Sequence, residues 1–258
     1  MPIISSQIES IREERDVGFA EKAIPASLKM LEGFGKEDPD NVWILENLAE
    51  GFCGYAFSFL EDIEPVRASG LYLRGKNYAL RALEIQSNKK WNGLSLEEFS
   101  ERLKEVDLPQ QVALFWVGQC WGSWISLNLD SVQALSDLPR VEILMNRVLE
   151  LDPSFHHAGP HVFLGAFYGG RSHMLGGNPD KARNHFEKAL KITKGKYLLI
   201  PLLYSKTYAV QNQDKELFEM QLKKIVQTSV DVFPEQRLAN QIAKRKAEIL
   251  LGKIDELF

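Results

Sequence analysis

Asn41-Val42-Trp43-Ile44-Leu45-Glu46-Asn47-Leu48-Ala49-Glu50-Gly51-Phe52 is the stretch that decides the fold, and its apolar positions continue through Tyr55, Phe59 and Leu60. Leu45, Leu48, Phe52, Tyr55 and Phe59 are separated by three or four residues, the spacing that lines up side chains on one face of an α-helix. Asp38-Pro39-Asp40 opens this helix, which is expected to run from Asn41 to about Leu60. Working outward, the same spacing recurs and alternating strand patterns are scarce, so the chain reads as all-α.

The expected helices can be placed from their caps and prolines. One covers Ser5 to Phe34, interrupted near Pro25, because an internal proline removes a backbone donor. Glu64-Pro65 starts a helix reaching Gln86, and Ser95-Leu96-Glu97-Glu98 forms a capping box for a short helix to Val106. Gln110 to Leu127 is the most apolar helix, followed by Leu138 to Leu151. Two pairs come next, Pro160 to Tyr168 with Asn178 to Thr193 and Tyr197 to Gln211 with Lys215 to Val230. Pro234 to Leu251 closes the series.

Leu45, Leu48-Ala49 and Phe52 have the large, large-small, aromatic order of a tetratricopeptide first helix, as do Leu114, Val117-Gly118 and Trp121. Pro201, Tyr204-Ser205 and Tyr208 follow it less closely. Ala182, Phe186 and Ala189 match a second helix, and Asp152-Pro153 supplies a closing proline. The small markers Ala49, Gly118, Gly165 and Ser205 are spaced unevenly, not at the regular ~34 residues of a tetratricopeptide array. The expectation is one domain over residues 1–258. It comprises N-terminal helices in 1–36, then degenerate tetratricopeptide-like hairpins packed into a compact closed array with a C-terminal capping helix in 41–251.

Composition narrows the function. Of 258 residues, 45% are hydrophobic and 26% charged, with 31 Lys+Arg against 35 Asp+Glu for a net charge of −4. Those values exclude a disordered or collagen-like chain. Without a basic block, nucleic acid has no electrostatic footprint to bind. The longest apolar run, Val112 to Trp124, is broken by Gly118, Gln119, Gly122 and Ser123, short of the ~20 apolar residues of a spanning helix. Cys53 and Cys120 lack metal-motif spacing and are expected to be free buried thiols. The N-terminus shows neither a charged n-region nor an apolar core, which fits a cytoplasmic protein or a processed one.

No catalytic motif emerges, and no cofactor is implied. His157 and His161 have i, i+4 spacing, but Gly159-Pro160 places His157 ahead of the helix, and no HExxH pattern follows. Gly169-Gly170-Arg171-Ser172-His173-Met174-Leu175-Gly176-Gly177 lacks the Lys-Ser/Thr pair of a phosphate loop and reads as a turn before a helix capped by Asn178-Pro179. Arg171 in that turn is a candidate contact for an anion or a partner carboxylate. Aromatic side chains are the remaining signal. Phe115 and Trp116 are adjacent and point about 100° apart on one helix. Phe115, Trp116, Trp124, Phe163, Phe167 and Tyr168 are therefore candidate linings for an apolar ligand.

Several segments together carry a resemblance. These are Gly165-Ala166-Phe167-Tyr168, Leu175-Gly176-Gly177-Asn178-Pro179-Asp180-Lys181-Ala182, Phe186-Glu187-Lys188-Ala189-Leu190 and Arg237-Leu238-Ala239-Asn240-Gln241-Ile242-Ala243. Tyr204 to Tyr208 and the ending Lys246-Ala247-Glu248-Ile249-Leu250-Leu251 agree with them, as do Gly70-Leu71-Tyr72-Leu73-Arg74-Gly75 and Phe115-Trp116-Val117-Gly118 in character. In this order, from about residue 40 onward, the chain resembles the T-component (TatT) of tripartite ATP-independent periplasmic (TRAP) transporters. The resemblance implies a non-enzymatic, tetratricopeptide-like protein of the periplasm or cell envelope. It further implies binding to the transporter's periplasmic substrate-binding subunit, a cavity or pore for a hydrophobic small molecule, and a homo-oligomer. Family members are usually exported or lipid-anchored, whereas this N-terminus shows no such signal. The alternative is a cytoplasmic tetratricopeptide scaffold for protein–protein interaction.

Overall fold

The computed structural model describes residues 2–258, and every regular element among them is helical. In chain order these are α1 (Pro2–Arg12), α2 (Val17–Glu37), α3 (Val42–Tyr55), α4 (Pro65–Ser87), α5 (Leu96–Lys104), α6 (Gln111–Ser126) and α7 (Val132–Leu151). They are followed by α8 (Phe155–Gly169), α9 (Pro179–Ile192), α10 (Leu199–Leu203), α11 (Lys215–Gln227), α12 (Arg237–Leu251) and α13 (Ile254–Leu257). Wider π turns extend α3 over Ala56–Leu60 and α10 over Tyr204–Ala209. The chain divides into two compact units, a first of Glu21–Asp152 and a second of Met1–Ala20 with Pro153–Phe258.

Local chemistry explains most boundaries. Asn41 Oδ1 accepts from the Ile44 N–H at 3.2 Å to start α3. The capping box before α5 is complete: Ser95 Oγ accepts from Glu98 N at 3.2 Å, and Glu98 Oε2 accepts from Ser95 N at 2.8 Å. Three expected boundaries move. The N-terminal break falls at residues 13–16, ahead of Asp16, whose carboxylate caps the Phe19 N–H, while Pro25 is carried inside α2. Helix α7 starts at Val132, capped by Ser131, and absorbs Pro139. Helix α8 begins at Phe155, but His156, His157 and Ala158 have φ of 46°, 59° and 63°, so its right-handed body starts only after this left-handed turn.

In the first unit, α3, α4 and α6 pack together, and Cys53 on α3 is joined to Cys120 on α6 with their Cα atoms 5.7 Å apart. This corrects the expectation of free thiols. Across a sequence separation of 67, only the packing of helices can bring the two sulfurs together. Gly75 on α4 makes room for them, because a Cβ there would stand 2.8 Å from Cys53 Sγ, 2.9 Å from Cys120 Sγ and 3.1 Å from the Ala49 carbonyl. Small-against-large contacts recur along the chain. A Cβ on Gly118 would meet Leu144 at 2.6 Å, and one on Gly165 would meet the Phe186 ring at 3.0 Å.

In the second unit, Phe186 stacks on Tyr204 with centroids 4.7 Å apart. Asn240 on α12 is fully buried. Its Oδ1 accepts from Leu198 N at 2.8 Å and its Nδ2 donates to the Lys196 carbonyl at 3.0 Å, which ties α12 to the segment entering α10. Replacing Asn240 with Leu strands both backbone groups, and urea unfolding is expected to show a loss of about 1–3 kcal/mol. Gly75→Ala is expected to cost a similar amount, about 1–3 kcal/mol, because the added methyl must displace a disulfide held on both sides.

Candidate functional site

The aromatic residues singled out from sequence fall into separate units. On α6, Phe115 and Trp116 are buried and meet edge to face at 5.1 Å, while Trp124 is half-buried near the helix end. On α8, Phe163 and Phe167 stack at 5.9 Å and Phe167 meets Tyr168 edge to face at 5.4 Å. Arg171 joins this second group. Its guanidinium lies 3.4 Å from the Phe167 ring centroid, and its Nε donates to the Phe167 carbonyl at 2.7 Å. The turn holding Arg171 is closed by Gly177 N donating to the Ser172 carbonyl at 2.9 Å, after which Asn178 caps α9.

The left-handed turn at the head of α8 sends its histidines apart. His157 packs on Tyr197 and Phe233, with centroids 4.9 and 5.0 Å away. His161 faces α9, with Nδ1 2.9 Å from His185 Nδ1, so one ring must donate and the other accept. Burial and the charges of His161, Lys188 and Lys181 push His185 down to about 4, and burial followed by Lys188 lowers His161. Among the described residues, no group of three or more His, Cys, Asp or Glu side chains is placed to hold a metal ion.

The first unit contains a cavity of about 280 Å³ that the sequence reading missed. Buried Leu83, Val117 and Leu144 contribute its apolar lining, and Trp91, Phe99 and Trp121 supply aromatic walls. Phe99 meets Trp91 and Trp121 edge to face, at 5.5 and 6.4 Å. Lys76 from α4 places its ammonium 3.7 Å from the Trp121 ring centroid. Asp137 on α7 is buried, and its Oδ2 accepts from Trp121 Nε1 at 3.1 Å. Gln133 Nε2 lies 3.2 Å from both Asp137 oxygens, and Arg140 Nη1 is 3.8 Å from Oδ1. Arg140 is further fixed by donating to the Leu94 carbonyl at 2.9 Å.

A signal for this site was present in the sequence. Lys76, Leu80 and Leu83 share one helical stripe, so a cation interrupts an apolar face. Trp121 was read as a repeat-core residue, which it is by burial, yet its indole also lines the cavity. Elsewhere in this unit, Glu46 is half-buried with Oε1 enclosed and without a hydrogen bond. Burial raises its carboxyl to about 7, against the lowering effect of the Ala113 N–H.

Buried aromatic clusters on an all-helical framework, without a catalytic motif in the sequence, suit a ligand- or partner-binding protein. The chain belongs to the TRAP transporter T-component family, whose model matches residues 13–258. An uncharacterized protein of Treponema pallidum (strain Nichols) is 23% identical, in an alignment covering 95% of this chain and 81% of that protein. The T-component is a non-enzymatic accessory part of a TRAP transport system. No helix among the described residues is long and apolar enough to cross a membrane.

The histidine pair makes a pH prediction. His185 ionises at a lower pH in the folded chain than the ~6.5 of an exposed imidazole, so unfolding takes up a proton between those values. Its contribution is complete above about pH 6.5 and is lost as pH falls toward 4. Unfolding titrations of the native chain and of His185→Gln are expected to diverge in slope across that window. The variant should be flatter by roughly 3 kcal/mol in total.

Proposed function

We propose that this protein serves a TRAP transporter by docking its periplasmic substrate-binding subunit and holding an apolar small molecule. The observation that carries the ligand half is the cavity of Trp91, Phe99 and Trp121, whose rings offer large apolar area at low conformational cost. Phe115, Trp116 and Trp124 on α6, and Phe163, Phe167 and Tyr168 on α8, are proposed as further apolar contacts within their own units. Arg171 is the proposed contact for a partner carboxylate. Its guanidinium already rests on Phe167, an arrangement that keeps the charge oriented.

The helical hairpins are, on this reading, degenerate tetratricopeptide repeats in a single closed array capped by α12. The close approaches at Gly118 and Gly165 and the burial of Asn240 support it. The Cys53–Cys120 disulfide supports a periplasmic or envelope location, because such bonds persist in oxidising compartments. A homo-oligomer belongs to the same proposal.

Affinity capture of the tagged chain from mildly crosslinked cells, with envelope and cytosol separated, tests this reading. Mass spectrometry is expected to find an extracytoplasmic solute-binding protein in the envelope fraction. Recovery from the cytosol with unrelated partners would instead establish a scaffold. Light scattering on the purified chain is expected to give a multiple of the 29.4 kDa protomer mass.

A further inference from the structure

We infer that the outer ridge of α9, with the turn that leads into it, is a contact surface for an anionic lipid layer, held by lysine charge and by apolar side chains at its two ends. The inference goes beyond the docking of a transporter subunit and does not depend on it.

Charge in this chain is unevenly spread. Residues 179–196 carry six Lys or Arg against two carboxylates, Asp180 and Glu187, although the net charge of the whole chain is −4. Helical spacing sorts these groups by face. Ala182, Phe186 and Ala189 form the buried face of α9. Lys181, Lys188 and Lys191 fall together on an adjoining exposed face, along about 15 Å of helix. Glu187 stands on the opposite flank with Arg183, which donates to the Tyr208 hydroxyl at 2.6 Å. Asp180 is in the first turn, where the helix dipole favours an acid.

Among the described residues, Lys181, Lys188 and Lys191 have no carboxylate within ion-pair distance, whereas Lys215 and Lys223 on α11 pair with Asp255 and Glu219. The uncancelled field reaches inward. Behind burial, Lys188 lowers His161, and behind burial and His161, Lys188 and Lys181 lower His185.

Apolar side chains stand at both ends of this ridge. The turn entering α9 presents Met174, 96% exposed, and Leu175, 41% exposed, while Ile192 on the lysine face is 39% exposed. The turn is tied to the start of the ridge at Tyr168. Asn178 N donates to the Tyr168 carbonyl at 3.0 Å, and Lys181 Nζ lies 4.8 Å from the Tyr168 ring centroid. The residue choice favours lipid over an acidic protein. Protein interfaces are enriched in Arg, whose planar fork matches a carboxylate, and depleted in Lys; clustered lysines instead gather at anionic headgroups. Apolar side chains held out beside them can enter the boundary between headgroups and acyl chains.

The test sediments the full chain with vesicles of phosphatidylcholine alone and with about 30% phosphatidylglycerol. Binding to the anionic vesicles is expected, weakening at least about tenfold as salt rises from about 0.05 to 0.5 M. Lys181→Gln/Lys188→Gln/Lys191→Gln is expected to lose about fivefold per lysine, or about 100-fold in all. Met174→Ser is expected to weaken binding about tenfold. The control Lys215→Gln/Lys223→Gln/Lys224→Gln makes the same change in net charge and is expected to bind as the native chain does. All these side chains are exposed, and thermal unfolding reports the folding of each variant. No binding to anionic vesicles, equal binding to neutral ones, or an equal loss in the control would overturn the lipid assignment. Unchanged affinity in Met174→Ser would overturn the part given to the turn. If vesicles are ignored while the α9 triple variant abolishes crosslinking to a solute-binding protein, the ridge is a protein-docking face and the lipid assignment falls.

Discussion

Between α4 and the Cys53–Cys120 disulfide there is no room for a side-chain atom, and that crowding sets the first unit's geometry. Gly75 lets three helices meet at the two sulfurs and the Ala49 carbonyl. The next residue along α4 is Lys76 and the next along α6 is Trp121. The contact that holds the helices together therefore also delivers an ammonium to the face of an indole. Packing and the cavity share one cause, and a change in helix approach at Gly75 would be felt at Lys76 and Trp121.

Polar groups in both units show how an apolar helical framework handles charge. Asp137 is buried with donors around it, and Asn240 satisfies two backbone groups that would otherwise be stranded. His161 and His185 share a hydrogen bond that fails once both rings are protonated. Lys76 differs from all of these in resting its ammonium on a ring face, 3.7 Å from the Trp121 centroid.

Much of the fold was legible from spacing and caps. The capping box at Ser95, the cap at Asn178 and the apolar stripes of α3 and α6 occur where local sequence places them, since each depends on residues within a turn or two. A proline misled once. Pro25 sits inside α2 because packing of the flanking turns outweighs one missing donor. The left-handed turn at His156 to Ala158 carries no glycine and so gave no local warning.

The candidate site was less legible. Aromatic residues could be flagged one helix at a time, but Trp91, Phe99 and Trp121 come from three separate segments and acquire common walls only after folding. Helix type, cap positions, the small residues at close approaches and the family were determined by sequence, because each depends on local spacing or on an ordered set of short motifs. The partner of Cys53, the meeting of Lys76 with the Trp121 ring and the facing rings of His161 and His185 were decided by tertiary structure. They depend on which distant surfaces meet, and a pairing across 67 residues leaves no trace in the periodicity of either helix.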